Sequence, residues 1–179
     1  MEDRLILVDV DDKEIGSASK STAHYEGLLH RAFSVFLYQG EKMLIQRRNA
    51  NKYHSGGLLA NSCCSHPRKG ECFEDAIRRR LKEELGIVSP ITLHLVGSIL
   101  YHEKFANGVI EFEKDSLFVG EYSGEIDICE EEISSTYWLH IEELKQDVRD
   151  HPDKYACWFV IALPTVLDYI NKAKMHNNE

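Results

Sequence analysis

The chain reads NSCCSHPRKGECFEDAIRRRLKEELGI from residue 61 to residue 87. The second half of this stretch carries apolar side chains at the spacing of an amphipathic helix, namely at Phe73, Ala76, Ile77, Leu81 and Leu85. Gly86 follows directly, and glycine commonly ends a helix because it adopts the left-handed conformation without strain. The pattern therefore predicts a helix over residues 72–85.

A thiol and an imidazole lie just upstream of this helix. The segment that contains Cys64 and His66 reads as a short strand, and side chains two residues apart in a strand point to the same face. Cys63 should then face the opposite way and pack. A free cysteine is usually a small buried hydrophobe, whereas a cysteine beside a metal or a cationic group has a lowered pKa and transfers protons near neutral pH. Both interpretations of Cys64 stay open at this point.

The remaining predicted elements are six strands and two helices. Strands are predicted at residues 5–10, 32–38, 43–46, 91–100, 109–122 and 136–139, with a hairpin turn at Gln39-Gly40. Loops are predicted at 17–22, 49–57 and 104–108, the last being either a lid or a simple turn. Two helices should follow at 141–148 and 154–174, and Pro164 should kink or break the second. This order predicts a mixed α+β fold with a C-terminal helix, in which residues 1–179 form one domain.

Composition narrows the class of protein. A chain of 179 residues with 43% hydrophobic and 28% charged residues has the make-up of a globular domain. The formal net charge of −9 argues against nucleic acid as a partner. No apolar run reaches 18 residues, and the N-terminal residues lack the pattern of a secretory signal, so neither a membrane span nor export is expected. Five cysteines without framework spacing favour reduced thiols and a cytoplasmic location.

Two carboxylates share one face of a predicted strand. Glu111 and Glu113 alternate with Ile110 and Phe112, so the acidic pair points one way and the apolar pair the other. Carboxylates this close repel each other unless a cation or a proton lies between them. The simpler alternative is a strand face that is exposed to solvent.

Histidines supply possible partners for the two carboxylates. His24 and His30 flank an early loop, and together with His66, Glu111 and Glu113 they form a nitrogen and oxygen set that suits five- or six-coordinate Mn²⁺, Zn²⁺ or Mg²⁺. Spacing alone is a weak signal, because a chain with nine histidines offers many such sets. The others are expected to be ordinary surface or core residues: His54, His94, His102, His140, His151 and His176.

Residues 65–87 resemble the Nudix box, G-x5-E-x7-R-E-U-x-E-E-x-G-U, in which U is a bulky aliphatic residue. The matching positions are Glu71, Arg79, Leu81, Glu83, Glu84, Gly86 and Ile87. Ser65 replaces the first glycine, and Arg80 replaces the glutamate after the arginine. A glutamate at 80 would pair with Glu84 one helical turn away to hold Mg²⁺, whereas Arg80 offers Glu84 an ion pair. Diphosphate hydrolysis of the usual Nudix kind is therefore not expected.

Three further motifs resemble one branch of that superfamily, the type I isopentenyl-diphosphate isomerases. They are GLLHRAFS at 27–34, NSCCSHP at 61–67 and EFE at 111–113, and the likeness extends over roughly residues 20–158. The resemblance implies a Nudix-like fold and a metal-dependent interconversion of isopentenyl and dimethylallyl diphosphate in isoprenoid biosynthesis. One proton is added to the substrate and another is removed.

The same resemblance assigns roles to twelve residues. It implies that Cys64 and Glu113 transfer the protons, and that one divalent cation is held by His24, His30, His66, Glu111 and Glu113. It implies a second site at Glu84, where Mg²⁺ meets the diphosphate. The implied diphosphate contacts are Lys20, Arg48 and Lys52, and the implied walls of the hydrocarbon pocket are Tyr101 and Trp158.

Several alternatives stay open from the sequence. The order of action of Cys64 and Glu113 and the identity of the His/Glu metal are not determined. A monomer is the expected state, with a dimer as the alternative. Two rival functions are a Nudix hydrolase of a nucleoside or isoprenoid diphosphate, against which Arg80 argues, and a non-catalytic metal- or thiol-binding module.

Overall fold

The computed structural model describes residues 3–176, and the strands within that range form one mixed sheet. They are β1 (Arg4–Val8), β2 (Glu14–Ser19), β3 (His30–Gln39), β4 (Lys42–Arg48), β5 (Leu59–Ala60), β6 (Cys63–Ser65), β7 (His94–Lys104), β8 (Ile110–Glu121) and β9 (Ile133–His140). The helices are α1 (Lys20–Glu26), α2 (Phe73–Leu85), α3 (Ile141–Asp150) and α4 (Cys157–His176). A short 3-10 turn at Pro152–Lys154 joins α3 to α4.

Strand β3 is the centre of the sheet. It pairs in parallel with β8 along most of its length and antiparallel with β1, β4 and β6. The register places His30 beside Glu113 and Ser34 beside Cys64. Residues that are far apart in the chain therefore meet on β3.

Hydrophobic cores cover both faces of the sheet. One core packs α3 and α4 against the sheet and includes Phe36, Leu117 and Phe159. The other packs α2 against the opposite face through Ile77 and Leu81, as the helical spacing predicts. The observed α2 begins at Phe73 and ends at Leu85, so the predicted helix is confirmed. The α+β fold with a C-terminal helix is also confirmed, and the single domain over residues 1–179 stays a prediction.

The predicted loop at residues 17–22 is wrong. Strand β2 continues to Ser19 and α1 begins at Lys20. The Ser19 hydroxyl accepts a hydrogen bond from the Thr22 backbone N–H, which makes Ser19 the N-cap of α1. A run of Ser and Thr indicates a loop by composition, but here these residues end a strand and cap a short helix.

Two other boundaries differ from prediction. The last helix begins at Cys157 rather than at residue 154 and continues unbroken through Pro164. Pro164 faces solvent, while Phe159, Leu163 and Val166 pack in the core. The packing of that face maintains the helix although proline removes one backbone hydrogen bond. Strand β7 starts three residues later than predicted, at His94, and extends to Lys104.

Within residues 3–176, the helices are too short or too polar to cross a bilayer.

Gly86 provides a test of how α2 is fixed. Its φ of 66° is left-handed, and a β-carbon there would lie 2.8 Å from the Asp127 β-carbon. We expect Gly86→Ala to lower the free energy of unfolding by about 2–3 kcal/mol, from backbone strain plus this clash. Gly40→Ala is the matched control, because Gly40 has φ 55° and open space around it; it should cost about 1 kcal/mol. Urea unfolding measures both, and equal losses would contradict the proposed clash.

Candidate active site

A cleft lies where β3, β6 and β8 meet. Nine of the twelve residues that the sequence singles out line it: Lys20, Arg48, Lys52, Cys64, His66, Glu84, Tyr101, Glu113 and Trp158. The other three, His24, His30 and Glu111, form a buried cluster with His66. All twelve are therefore brought to one place, although the chain separates the first from the last by more than a hundred residues.

The buried cluster has the composition of a metal site. One donor atom from each of His24, His30, His66 and Glu111 lies within 4.8 Å of the other three. Glu113 lies beside this set, with its Oε1 2.7 Å from the Nε2 of His66 and 3.5 Å from the Nε2 of His30. Glu111 and Glu113 share one face of β8, as their alternation predicts.

The nitrogen and oxygen atoms of the cluster direct more lone pairs toward one another than there are hydrogen-bond donors to meet them. The Nδ1 of His30 lies 2.8 Å from the Leu28 carbonyl, which only accepts, so Nδ1 carries the proton. In the neutral form of this ring, which is the form that binds a metal, the Nε2 lone pair points into the cluster, 3.2 Å from the Nε2 of His66. Two buried atoms, Nε2 of His24 and Oε2 of Glu111, have no hydrogen-bond partner among the described residues. Orphaned lone pairs of this kind fit a divalent cation.

The pKa values of the three histidines also indicate that the two carboxylates favour a positive charge beside them. Burial lowers the pKa of His30, but the nearby carboxylates of Glu111 and Glu113 outweigh burial and raise that pKa to about 10. Burial lowers the pKa of His24 to about 4 and also lowers the pKa of His66. Without a metal, the ring nearest both carboxylates therefore takes the charge that a bound cation would supply.

Cys64 faces the cleft, whereas Cys63 is fully buried in the core beneath α2. Their opposite orientations confirm the strand pattern. Burial raises the pKa of the Cys64 thiol to about 12, although the Nη1 of Arg48 lies 3.9 Å from its sulfur. Of the two interpretations of Cys64, this pKa favours the buried thiol, because desolvation outweighs one nearby guanidinium. Cys64 therefore keeps its proton at neutral pH.

Hydrogen bonds hold the aromatic walls of the cleft. Tyr101 lies opposite Glu113 in the β7–β8 pair, and its hydroxyl donates to the Glu113 Oε2 at 2.5 Å. The Trp158 indole N–H donates to the Oδ1 of Asn61 at 3.0 Å. The amide of Asn61 also donates to the Cys63 carbonyl at 2.8 Å, so one buried side chain fixes both the indole and the strand that carries the thiol.

The opposite side of the cleft is basic. Lys20, Arg48 and Lys52 line it as the resemblance implies, and Arg80 joins them. Burial and the neighbouring Lys52 lower the pKa of Lys20. Lys52 and Arg80 are paired with Glu132 and Glu84, and the four cations together make this side of the cleft a candidate anion site.

The carboxylate of Glu84 lies at the edge of this basic patch. Arg80 forms a close ion pair with Glu84 and a second, at 2.7 Å, with Glu83, which confirms the pairing that the sequence predicts. Burial raises the pKa of Glu84, although Arg80 opposes this effect. Arg80 occupies the position at which the Nudix box has a glutamate. The helix therefore does not pair a second carboxylate with Glu84, as the Mg²⁺ site of a Nudix hydrolase would require.

His54, which the sequence predicts to be an ordinary surface or core histidine, is buried beside the cluster. Its Nε2 lies 3.0 Å from the Glu111 Oε1, and Tyr53 stacks on His24 with ring centroids 5.5 Å apart. Both residues come from the loop after β4, where side chains follow no periodic pattern. Their position directly after Lys52, a predicted diphosphate contact, is the signal that could have identified them.

Arg80 and Asn61 were likewise not named as site residues.

Comparisons with known proteins agree with this geometry. The NUDIX domain family model matches residues 28–159. Isopentenyl-diphosphate Delta-isomerase 2 of Aromatoleum aromaticum is 44% identical over 168 residues, which are 93% of this chain and 88% of that protein. The isopentenyl-diphosphate Delta-isomerase of Burkholderia multivorans is 44% identical over 160 residues, covering 89% of this chain and 90% of that protein.

Solved structures support the fold alone. A Deinococcus radiodurans protein superposes with a TM-score of 0.66 at 21% identity, covering 82% of this chain and 89% of that chain. A MutT protein of Methanosarcina mazei superposes with a TM-score of 0.64 at 14% identity, covering 80% of this chain and 96% of that chain. Taken with the sequence relatives, these matches place the chain in the isopentenyl-diphosphate Delta-isomerase family, on the fold of the NUDIX domain.

Proposed function

We propose that this protein interconverts isopentenyl diphosphate and dimethylallyl diphosphate by a metal-dependent 1,3-allylic proton shift, as a step of isoprenoid biosynthesis. The names of its relatives support this reaction. The observation that carries the proposal is the cleft itself, in which Cys64 and Glu113 share one space with an indole wall and a basic patch.

The reaction explains why two different proton-transfer groups are needed. An alkene is a very weak base, so the terminal methylene requires a positioned acid. The C=C electron pair forms the new C–H bond and leaves a tertiary cation, and loss of a proton from the carbon on the other side of the cationic centre returns an electron pair as the internal double bond. Cys64 and Glu113 are our candidates: one delivers the first proton and the other accepts the second.

The aromatic wall suits a short-lived cation. Water would trap a tertiary cation, so the pocket must exclude solvent. The face of Trp158 already holds one cation, since the Arg48 guanidinium carbon lies 5.1 Å from the ring centroid. Cation–π attraction at a desolvated indole is worth roughly 2 kcal/mol. We assign Trp158, with Tyr101, to the hydrocarbon pocket.

The basic patch suits the diphosphate. Lys20, Arg48 and Lys52 are proposed contacts, and Glu84 would hold a Mg²⁺ that adds positive charge at the diphosphate. Binding energy from this group, remote from the alkene, offsets the cost of desolvating the reacting carbons. Arg80 lines the same cleft while it forms an ion pair with Glu84.

The His/Glu cluster is proposed to hold one divalent cation, Mn²⁺, Zn²⁺ or Mg²⁺, on His24, His30, His66, Glu111 and Glu113. Its chemical contribution is to orient the Glu113 carboxylate and to set its acidity. A cytoplasmic location, a monomeric state and the absence of a nucleic-acid partner stay predictions.

Proton NMR of isopentenyl diphosphate with purified protein and Mg²⁺ tests the reaction. We expect dimethylallyl diphosphate to appear without phosphate release. Cys64→Ala and Glu113→Gln should each lower kcat at least about 10³-fold, because each removes a proton-transfer group. Cys63→Ala is the matched control: the neighbouring thiol faces the core, so this variant should keep its activity.

Two outcomes would decide against the proposal. Released phosphate would indicate a NUDIX hydrolase, and an unchanged substrate with a folded protein would indicate a binding module. A Cys64→Ala protein with normal turnover would remove the thiol from the mechanism. Circular dichroism of each variant separates loss of chemistry from loss of folding.

Metal binding is tested apart from activity. We expect chelator-treated protein to take up one Mn²⁺ at the cluster in calorimetric titration, and Glu111→Gln to weaken that binding by at least about tenfold, since it removes a charged donor. Saturation at 100 times Kd should raise the free energy of unfolding by about 2.7 kcal/mol. Glu125→Gln, at an exposed site, is the control. Equal Mn²⁺ affinity in both variants would contradict the assignment of Glu111.

A further inference from the structure

His54 belongs to the loop between β4 and β5, and its side chain is only 6% exposed. It lies where the metal cluster meets the hydrocarbon pocket, in contact with Glu111 on one side and Trp158 on the other. None of the roles assigned above uses this imidazole.

The protonation of the ring follows from its partners. The Nε2 of His54 lies 3.0 Å from the Oε1 of Glu111, and a carboxylate only accepts, so Nε2 carries a proton. On the other side, Nδ1 lies 3.2 Å from the hydroxyl of Ser55, which is able to donate to it. Both ring nitrogens are therefore used. Nε2 has no lone pair left for a metal, in contrast to the Nε2 of His30.

The two oxygens of Glu111 consequently differ. Oε1 lies 3.0 Å from the Nε2 of His54, 3.3 Å from the Nε2 of His24 and 3.5 Å from the hydroxyl of Tyr53. Oε2 is buried, has no hydrogen-bond partner among the described residues, and lies 3.6 Å from the Nε2 of His30. One oxygen is held and the other points free into the cluster, which is the geometry of a ligand fixed by an outer partner.

Aromatic contacts fix the plane of the His54 ring. It stacks on Phe105 with centroids 4.7 Å apart and an interplanar angle of 23°. It meets Trp158 edge-on at 5.6 Å and Tyr53 edge-on at 4.5 Å. The imidazole therefore cannot rotate away from Glu111 without disturbing the wall of the cleft.

We propose that His54 is a positioning residue for the metal centre: its Nε2–H holds Oε1 of Glu111 so that Oε2 is presented to the cation. The inference rests on the proposed metal site and adds a residue to it. Through its edge contact with Trp158, the same ring aligns the metal centre with the indole wall.

The test compares two amides that differ by one methylene group. His54→Gln places an N–H donor near the position of the imidazole Nε2, whereas the amide of His54→Asn is too short to reach Glu111. Mn²⁺ affinity is measured by calorimetry on chelator-treated protein, and kcat and KM by NMR assay. His102→Ala is the control, since that exposed histidine contacts Phe112 on the other face of β8.

We expect His54→Asn to weaken Mn²⁺ binding about 10- to 100-fold, His54→Gln to recover it to within about threefold, and His102→Ala to leave it unchanged. The loss in the Asn variant should fall mainly on kcat rather than on KM. Thermal unfolding of the metal-free variants identifies any that fail to fold. If His54→Asn fails to fold, His54→Ala takes its place as the variant without a donor to Glu111.

Two results would overturn the role of His54. Unaltered Mn²⁺ affinity in His54→Asn would show that Glu111 is positioned without it, and equal weakening in Gln and Asn would show that the imidazole acts through packing alone. Failure of the unaltered protein to bind Mn²⁺ would overturn the metal site and this role together, whereas its failure to isomerise the substrate while binding Mn²⁺ would overturn only the proposed function.

Discussion

Two carboxylates are buried two residues apart on one strand, and the structure is built around the positive charge that this arrangement demands. Glu111 and Glu113 cannot both stay ionised in a desolvated pocket without a counter-charge. Three imidazoles converge on them from α1, β3 and the segment after β6. The parallel pairing of β3 with β8 brings His30 to Glu113, and the antiparallel pairing of β6 with β3 brings the thiol to the same cleft. The register of the sheet therefore determines that Cys64, His30 and Glu113 lie close together.

The α2 helix lies on the fold that the superposed structures share, but it departs from the Nudix box at one position. Arg79 keeps the bidentate ion pair with Glu71 that anchors the start of the helix to the loop before it. One residue later, Arg80 replaces an acidic ligand and neutralises Glu84. Arg80 also lines the cleft beside Lys20, Arg48 and Lys52, where a glutamate without a metal would repel an anion. Fold likeness at 14–21% identity shows the architecture alone, and the reaction follows from side chains such as these.

Much of this arrangement could be predicted from the sequence because periodic elements carry it. The alternation of β8 assigns one face to Glu111 and Glu113 without tertiary information, whereas the role of Glu84 comes from the resemblance of its motif to the Nudix box. His54 could not be found in this way, because a loop side chain has no period and its direction depends on contacts made after folding. The choice between the two interpretations of Cys64 was open for a related reason: burial of Cys64 depends on α4, which is far away in the chain.

The parallel pairing of β3 with β8 has a consequence for biosynthesis. His30 and Glu113 are separated by more than eighty residues of intervening chain, and parallel strands of this separation pair slowly because a long loop must close first. A nascent chain therefore has no assembled cation site until β8 has left the ribosome, and its indole wall arrives later still, with α4. Until then the thiol and the imidazoles lack the burial that the folded cleft gives them.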